Sequence, residues 1–331
     1  MTSNTEKEIA LNQAEESTDV DGKKQKKLTR TGLKIISAGA AISEKKPGSN
    51  EMVFMHAVMC QIALPRSKTD DLDFERECGD AGISVKAGKL WDGKKFVQQH
   101  IPYGPTPRLI LLYLNTLALR QKSPIVDVGK SASDFLKKIG RGTAGGECHK
   151  TLHRHISALS ACSITFGLTK GSNAITFNGQ PIQAFEKPIA DEDNKEDTKW
   201  PRYITFSQEY YDTLKRHAVP LDLRAVLALS TSALALDLYI MLADRLHRIK
   251  NHRTLLNWIK VREQFGQEYT GDSADKNFKK AFKPALNRVQ TVYPHAKVKI
   301  AKLGMYMYES PPAVDYKNTP FGEEWHVDKI I

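Results

Sequence analysis

Between residues 105 and 180 the apolar positions change period several times, and each change marks an element. Leu109 to Leu119 is an apolar run preceded by Thr106 and Pro107, an N-cap and the residue best suited to a first helical position, so a long core helix is expected there. Pro124 to Val128 then read as a short strand. Ser131, with Asp134 three positions on, makes a capping-box start for a helix that places Phe135, Leu136 and Ile139 on one side. Gly140, Gly142, Gly145 and Gly146 end it. From Glu147 onward Cys148, Leu152, Ile156 and Leu159 fall at i, i+4, i+8 and i+11, one face of a second helix. Lys150, Thr151, His153, Arg154 and Ser157 are left on its other faces. Cys162, Ile164, Phe166 and Leu168 alternate as a strand, residues 170–173 form a turn, and Ile175 and Phe177 alternate again. Helix, strand, helix, turn, helix, hairpin is the order of a winged helix-turn-helix.

The second half repeats that order. Ser232 starts a long apolar helix through Leu234, Leu238, Met241 and Leu242 to Leu246. Leu255 to Phe265 supplies a shorter helix and Gly266 to Ser273 a turn. The next helix, Asp275 to Thr291, carries Phe278, Phe282, Ala285, Leu286 and Val289 on one apolar stripe, with Lys276, Lys279, Lys280, Lys283 and Arg288 off it. Pro284 removes one of its hydrogen bonds and predicts either a kink or the start of its regular part. Val298, Ile300 and Leu303 alternate into Gly304, and Met305 to Tyr308 lead out, a second hairpin bearing Lys297, Lys299 and Lys302. The fold expected is α+β, tandem winged-helix domains behind a disordered N-terminal tail.

Composition sharpens the boundaries. Residues 1–50 are polar and nearly free of aromatic residues, with Lys23, Lys24, Lys26, Lys27 and Arg30 in a basic cluster, the composition of a flexible tail. Asp191, Glu192, Asp193, Glu196 and Asp197 form a non-periodic acidic stretch ending at Pro201. These features predict a tail at 1–50, a winged-helix domain at 51–190, a linker at 191–201, a second winged-helix domain at 202–312 and a C-terminal tail at 313–331. The chain carries 49 Lys and Arg against 38 Asp and Glu, a formal net charge of +11, which favours a polyanionic partner. Arg245 to Lys302 alone holds 14 basic and 4 acidic residues, a local net of +10.

Several other patterns compete for a function. The apolar run Ala225 to Ala243 is long enough to consider as a membrane span, but Ser230, Thr231, Ser232 and Asp237 interrupt it, and a buried helix preceded by a short apolar segment is expected. Cys60, Cys78, Cys148 and Cys162 lack CxxC spacing and read as reduced core residues. The start of the chain lacks the charged-then-apolar order of a secretory signal, so a cytoplasmic location is expected, with no membrane partner. His149 and His153 share a helix face at i, i+4, but no third ligand is implied and a polar face touching phosphates is preferred to a metal site. His153-Arg154-His155 resembles the histidine-x-histidine of rolling-circle nucleases, whose middle residue is apolar and on a strand; here it is Arg154 in a helical pattern. Gly140, Gly142 and Gly145 match GxGxxG but follow a helix, and Gly129-Lys130-Ser131 lacks the first glycine of a P-loop, so no nucleotide cofactor is expected.

Three segments carry a family resemblance: Ile101-Pro102-Tyr103-Gly104-Pro105-Thr106-Pro107-Arg108-Leu109, Ser131-Ala132-Ser133-Asp134-Phe135-Leu136, and Thr143-Ala144-Gly145-Gly146. They resemble the plasmid-encoded RepA family of replication initiators. Phe278-Lys279-Lys280-Ala281-Phe282, Tyr293-Pro294 and the following hairpin are similar to the equivalent part of TrfA-like initiators. The resemblance covers roughly residues 50 to 310. It implies a non-enzymatic protein that binds repeated double-stranded sites (iterons) in a plasmid origin, helps melt the duplex, recruits the host initiator and replicative helicase, engages chaperones, and passes between monomer and dimer. Autorepression of its own gene is part of the same implication, as is a C-terminal winged helix that supplies most sequence reading. Pro284 departs from an uninterrupted recognition helix.

The residues expected on DNA in the second unit are Lys276, Asn277, Lys279, Lys280, Lys283, Asn287 and Arg288, with Lys297, Lys299 and Lys302 on its hairpin. Asn287 and Arg288 suit base edges, Asn on adenine and Arg on guanine, whereas the lysines suit phosphates. Lys150, Thr151, His153, Arg154 and Lys170 are the expected contacts of the first unit. The alternatives are a purely transcriptional repressor of the same fold and a nicking nuclease using His153 and His155 with a tyrosine.

Overall fold

The computed structural model describes residues 28–315 apart from 80, 143–144, 171, 186–199 and 251. The chain divides into two compact units, residues 1–34 and 35–331. A helix, α1 (Arg30–Glu44), occupies much of the stretch whose composition predicts a tail. Ile35, Ala38, Gly39 and Ile42 recur at i, i+3, i+4 and i+7; Ile35 and Gly39 are buried, and Ala38 and Ile42 pack on the core. Gly39 is required for this approach, since a Cβ there would stand 2.3 Å from the carbonyl oxygen of Thr291. Arg224 satisfies the helix end, donating to the carbonyls of Ala41 at 3.1 Å and Lys45 at 2.9 Å. The lysines at 23, 24, 26 and 27 lie outside the described residues.

After α1 come β1 (Met52–His56), α2 (Ala57–Gln61), β2 (Asp73–Cys78), β3 (Ala81–Lys86), β4 (Lys89–Trp91) and β5 (Phe96–Gln98). The first winged-helix module follows in the expected order: α3 (Pro105–Gln121), β6 (Ile125–Asp127), α4 (Ala132–Lys138), α5 (Gly146–Ala161), β7 (Ser163–Lys170) and β8 (Asn173–Gly179). Helix α3 starts at Pro105, ahead of the expected Thr106 cap, because Gly104 adopts φ +75° and delivers Pro105 into the first helical position. Ser131 caps α4 as expected, accepting the N–H of Asp134 at 3.2 Å.

The pairing of these strands departs from a simple winged helix. Strand β6 does not meet the wing; it pairs with β10 (Tyr203–Phe206), which in turn pairs with β9 (Ile182–Phe185). The hairpin β7–β8 extends instead a four-stranded sheet of order β2-β3-β7-β8. The acidic stretch at 191–197 lies outside the described residues. The strand just after it, expected in the second domain, is therefore built into a sheet of the first.

The remaining elements are α6 (Gln208–His217), β11 (Ala218–Asp222), α7 (Leu223–Leu229), α8 (Ala233–Arg245), β12 (Arg253–Asn257), α9 (Trp258–Phe265), α10 (Ala274–Val292), β13 (Val298–Ile300) and β14 (Gly304–Tyr308). The apolar run 225–243 is thus two buried helices parted at Ser230 to Ser232, and no helix among the described residues is long and apolar enough to cross a membrane. Leu255 lies on β12, so the helix expected from Leu255 begins at Trp258, where Asn257 caps it by accepting the N–H of Lys260 at 2.9 Å. The second module closes its sheet in the order β12-β14-β13. Gly304 makes that closure possible: it has φ +158°, and a Cβ would lie 2.2 Å from the carbonyl oxygen of Leu256.

The modules share one core. Strands β1 and β11, fully buried along their length, pair from Met52 opposite Asp222 to His56 opposite Ala218. Arg108 on α3 grips Asp237 on α8 bidentately, at 2.6 and 2.9 Å, and donates also to the carbonyls of Leu64, Pro65 and Gly104. Arg66 reaches the same Asp237 at 3.4 Å and the carbonyl of Phe265. Arg76 donates to Glu268 and to the carbonyls of Ala63 and Gln264. Burial raises the Glu268 carboxyl, but the guanidiniums of Arg66 and Arg76 outweigh it and hold it below its usual range. Two arginines from the N-terminal part thus sit at the end of α9, next to the turn that leads into α10.

Candidate nucleic-acid interface

Helix α10 is placed by its apolar face. Phe278, Phe282, Ala285, Leu286, Val289 and Val292 are buried, and Phe282 stacks against Trp258, Phe265 and Phe278 at ring separations of 5.4 to 6.2 Å. The turn before it depends on Gly266, where a Cβ would come within 2.7 Å of the Phe278 ring. Asp275, in the first turn, is drawn aside into an ion pair with Arg262 of α9 at 2.8 Å. The helix runs unbroken through Pro284, whose exposed position puts its ring on the solvent side.

With the apolar face buried, the opposite face is cationic. Lys276, Lys280, Lys283 and Asn287 fall at i, i+4, i+7 and i+11, and all four are exposed. Lys276, Lys279, Lys280 and Lys283 line one open depression. Lys279 is half-buried on its edge, its Nζ held 4.9 Å over the Trp258 ring. Asn277 and Arg288 are exposed as well, but lie about 100° or more round the helix from Lys276, on a flank shared with Pro284. The two residues expected on base edges therefore divide: Asn287 is central to the stripe and Arg288 lateral to it. On the hairpin, Lys297, Lys299 and Lys302 are exposed, with Lys302 in the turn between β13 and β14. None of these lysines, nor Arg288, forms a salt bridge among the described residues.

The equivalent helix of the first module, α5, offers less. Lys150 is exposed and Thr151 half-buried. Arg154 is engaged with Glu147 at 3.7 Å. His153 packs edge-on against Trp200 with rings 5.9 Å apart. Lys170 ends β7, and its side chain lies outside the described residues. The other histidines of this helix are separated: His149 Nε2 lies 3.4 Å from the Ser133 hydroxyl, and His155 is buried between His100 and Tyr103. Burial, with the nearby His100 and Arg154, pushes the His155 imidazole down to about 3. His153 and His155 thus have different surroundings on one helix, and the described residues contain no cluster of three or more metal-ligating side chains.

Residues 101–259 match the family described as plasmid encoded RepA protein. Over that stretch the chain is RepA-like. The RepA-like segment takes in the whole first module and the second as far as the start of α9, and α10 with its wing follows it. No curated protein matches the chain. Among solved structures, the chain is similar to a selenomethionine crystal structure of domains 2 and 3 of RctB, at 12% identity and TM-score 0.46 over 78% of this chain and 97% of that one. A second RctB structure of domains 2–3 gives 11% identity and TM-score 0.45, over 76% and 94%.

Sequence reasoning does not find Arg66, Arg76 and Glu268, which set the end of α9 and the turn into α10. One signal is present: Asp237 interrupts the apolar run 225–243, and a buried carboxylate needs a cationic partner. Nothing in the sequence says that Arg108 and Arg66 supply it.

Proposed function

We propose that the protein is a non-enzymatic plasmid replication initiator that binds repeated duplex sites in its origin, chiefly through α10 and the β13–β14 wing. The observation that carries this reading is the stripe Lys276, Lys280, Lys283 and Asn287, exposed on the second helix of a complete helix-turn-helix and without a carboxylate partner among the described residues. The match of residues 101–259 to plasmid encoded RepA supports the replication context. The lysines hold phosphates and fix the register, Asn287 meets a base edge, and Arg288 reaches a neighbouring backbone or base from the flank. Opening of the duplex, recruitment of a host initiator and replicative helicase, a monomer–dimer equilibrium and autorepression belong to the same proposal, as does a cytoplasmic location.

The test is selection of bound duplex from fragments of the encoding replicon, followed by affinity measurements at several salt concentrations on the selected and scrambled sequences. Tandem repeats bound well above scrambled DNA at physiological salt are the expected outcome. Equal, weak binding to all sequences that vanishes with salt removes the proposal and leaves a generic basic surface. Permanganate footprinting of the bound origin separates an initiator, which unpairs bases there, from a repressor, which does not.

A further inference from the structure

The β4–β5 hairpin precedes both helix-turn-helix units in the chain and is part of neither. Its base is fixed on the end of α5: a Cβ at Gly88 would be 2.0 Å from the Ala161 carbonyl oxygen, and the Gly88 carbonyl accepts the Gln99 N–H and the Gln98 amide at 2.9 Å each. Its tip is equally fixed, with the Asp92 carboxylate accepting the N–H groups of Lys94 and Lys95 at 2.8 Å and Gly93 at φ +102°. Among the described residues the two strands pair only with each other. Register sets Trp91 opposite Phe96, their rings edge to face at 5.2 Å, and Lys89 opposite Gln98 on the same side of the ribbon. Trp91 is 56% and Phe96 67% exposed. Lys89, Lys94 and Lys95 are exposed around them and have no salt bridge among the described residues.

A two-stranded ribbon is marginal by itself, and its large aromatic residues are usually the first groups to be covered. Here a fixed turn and a fixed base hold them in solvent beside three lysines. We propose that this hairpin is a stacking clamp for unpaired bases of single-stranded DNA, with Trp91 and Phe96 as the platforms and Lys89, Lys94 and Lys95 on the phosphates. An aromatic face accepts any base, and the lysines favour a polyanion over a neutral protein surface. In a duplex the base faces are hidden in the stack, so the clamp engages only bases already outside it. The inference rests on the nucleic-acid reading above and adds a second, strand-selective site to it.

The test uses the full chain, a fluorescein-labelled oligothymidylate of about fifteen nucleotides and a blunt duplex carrying the selected origin repeat. The Trp91→Ala/Phe96→Ala variant is expected to lose about tenfold or more in oligothymidylate affinity, with duplex affinity and melting temperature unchanged. Trp91→Phe should keep most of the affinity, because the platform remains aromatic. Lys94→Ala/Lys95→Ala, which leaves the aromatic pair intact, should flatten the single-strand salt slope by about 1.4. An unchanged single-strand affinity in the double aromatic variant overturns the clamp, and so does an equal loss on both DNAs. Conversion of dimer to monomer in sedimentation, with single-strand affinity retained, also overturns it and assigns the face to a second copy of the chain. If the wild type fails to prefer origin duplex yet the aromatic variant loses single strands, the clamp stands and the initiator reading fails.

Discussion

The two winged-helix modules share an order of elements and differ in what their second helices present to solvent. Helix α10 buries seven apolar residues and leaves a line of lysines that form no salt bridge among the described residues. Helix α5 has one exposed lysine on the corresponding turns, an arginine held by Glu147, and histidines turned to Ser133, Trp200 and the core. Their sheets differ too, since β12-β14-β13 closes on itself whereas β6 is completed by β10 and the first hairpin by β2 and β3. A shared topology therefore fixes where a helix stands without fixing its chemistry. The second module presents a row of exposed lysines, whereas the first commits most of the polar side chains of its second helix to contacts within the protein.

The contrast fails most completely if the modules are not one structure. Asp237→Ala strips Arg108 of its bidentate partner and Arg66 of a second contact, and should cost about 3–5 kcal/mol in denaturant unfolding. A loss under about 1 kcal/mol would mean that the buried network does not join them. Next in size is the cationic stripe: Lys280→Ala/Lys283→Ala should weaken all duplexes alike and reduce the salt slope by about two, one for each phosphate that is no longer neutralised. An unchanged slope removes both from the phosphate set.

Acid should distinguish the modules as well. The His155 imidazole, in the first module, is pushed down to about 3 by burial, and so is His56 on β1, where His217 adds to the effect. A folded-state value below the ordinary 6.5 contributes stability that is present above that pH and is lost as pH falls from there towards 3. By pH 5.5 each such histidine should cost about 1.4 kcal/mol. The α9–α10 segment contains no histidine, although burial also lowers the imidazole of His247 just after α8, so the contrast is with α9–α10 and not with the whole second module. His155→Leu should therefore flatten the loss of stability between pH 6.5 and 5.5, measured by unfolding at each pH, and leave the duplex affinity of the second module unchanged. Asp244 works in the opposite direction, since burial raises its carboxyl to about 6 and its contribution is lost as pH rises through that value. The smallest effect is expected of Lys150→Ala, a change of one unit or less in the salt slope; a loss equal to that of the α10 double variant would erase the difference between the modules.

Much of the fold is legible along the chain because it is local. The Ser131 and Ser232 caps, the periodic stripes of α5 and α10 and the alternation of β7 and β13–β14 all depend on neighbours within a few residues. The lysines of the candidate interface are legible for the same reason, as residues off an apolar stripe. Helix α1 escapes such a reading because Ala38 and Gly39, which carry little hydrophobic signal, stand between Ile35 and Ile42 on its core-facing side, and Gly39 works there by allowing close approach to Thr291. Strand β12 reads as part of a helix because Leu255 and Leu256 precede a helical period without a break, and only pairing with β14 draws them out straight.

Order along the chain is enough to dictate the elements, their succession, the sign of the surface charge and the face on which the lysines of α10 stand. It takes folding in three dimensions to make β10 complete the sheet of β6 and to consume Arg66, Arg76 and Arg108 inside the protein. The difference is one of range. Periodicity and capping are set by atoms a turn apart, whereas the β6–β10 pairing and the arginine contacts of the core are chosen by groups far apart along the chain, 129 positions for Arg108 and Asp237, which packing brings within a few ångströms.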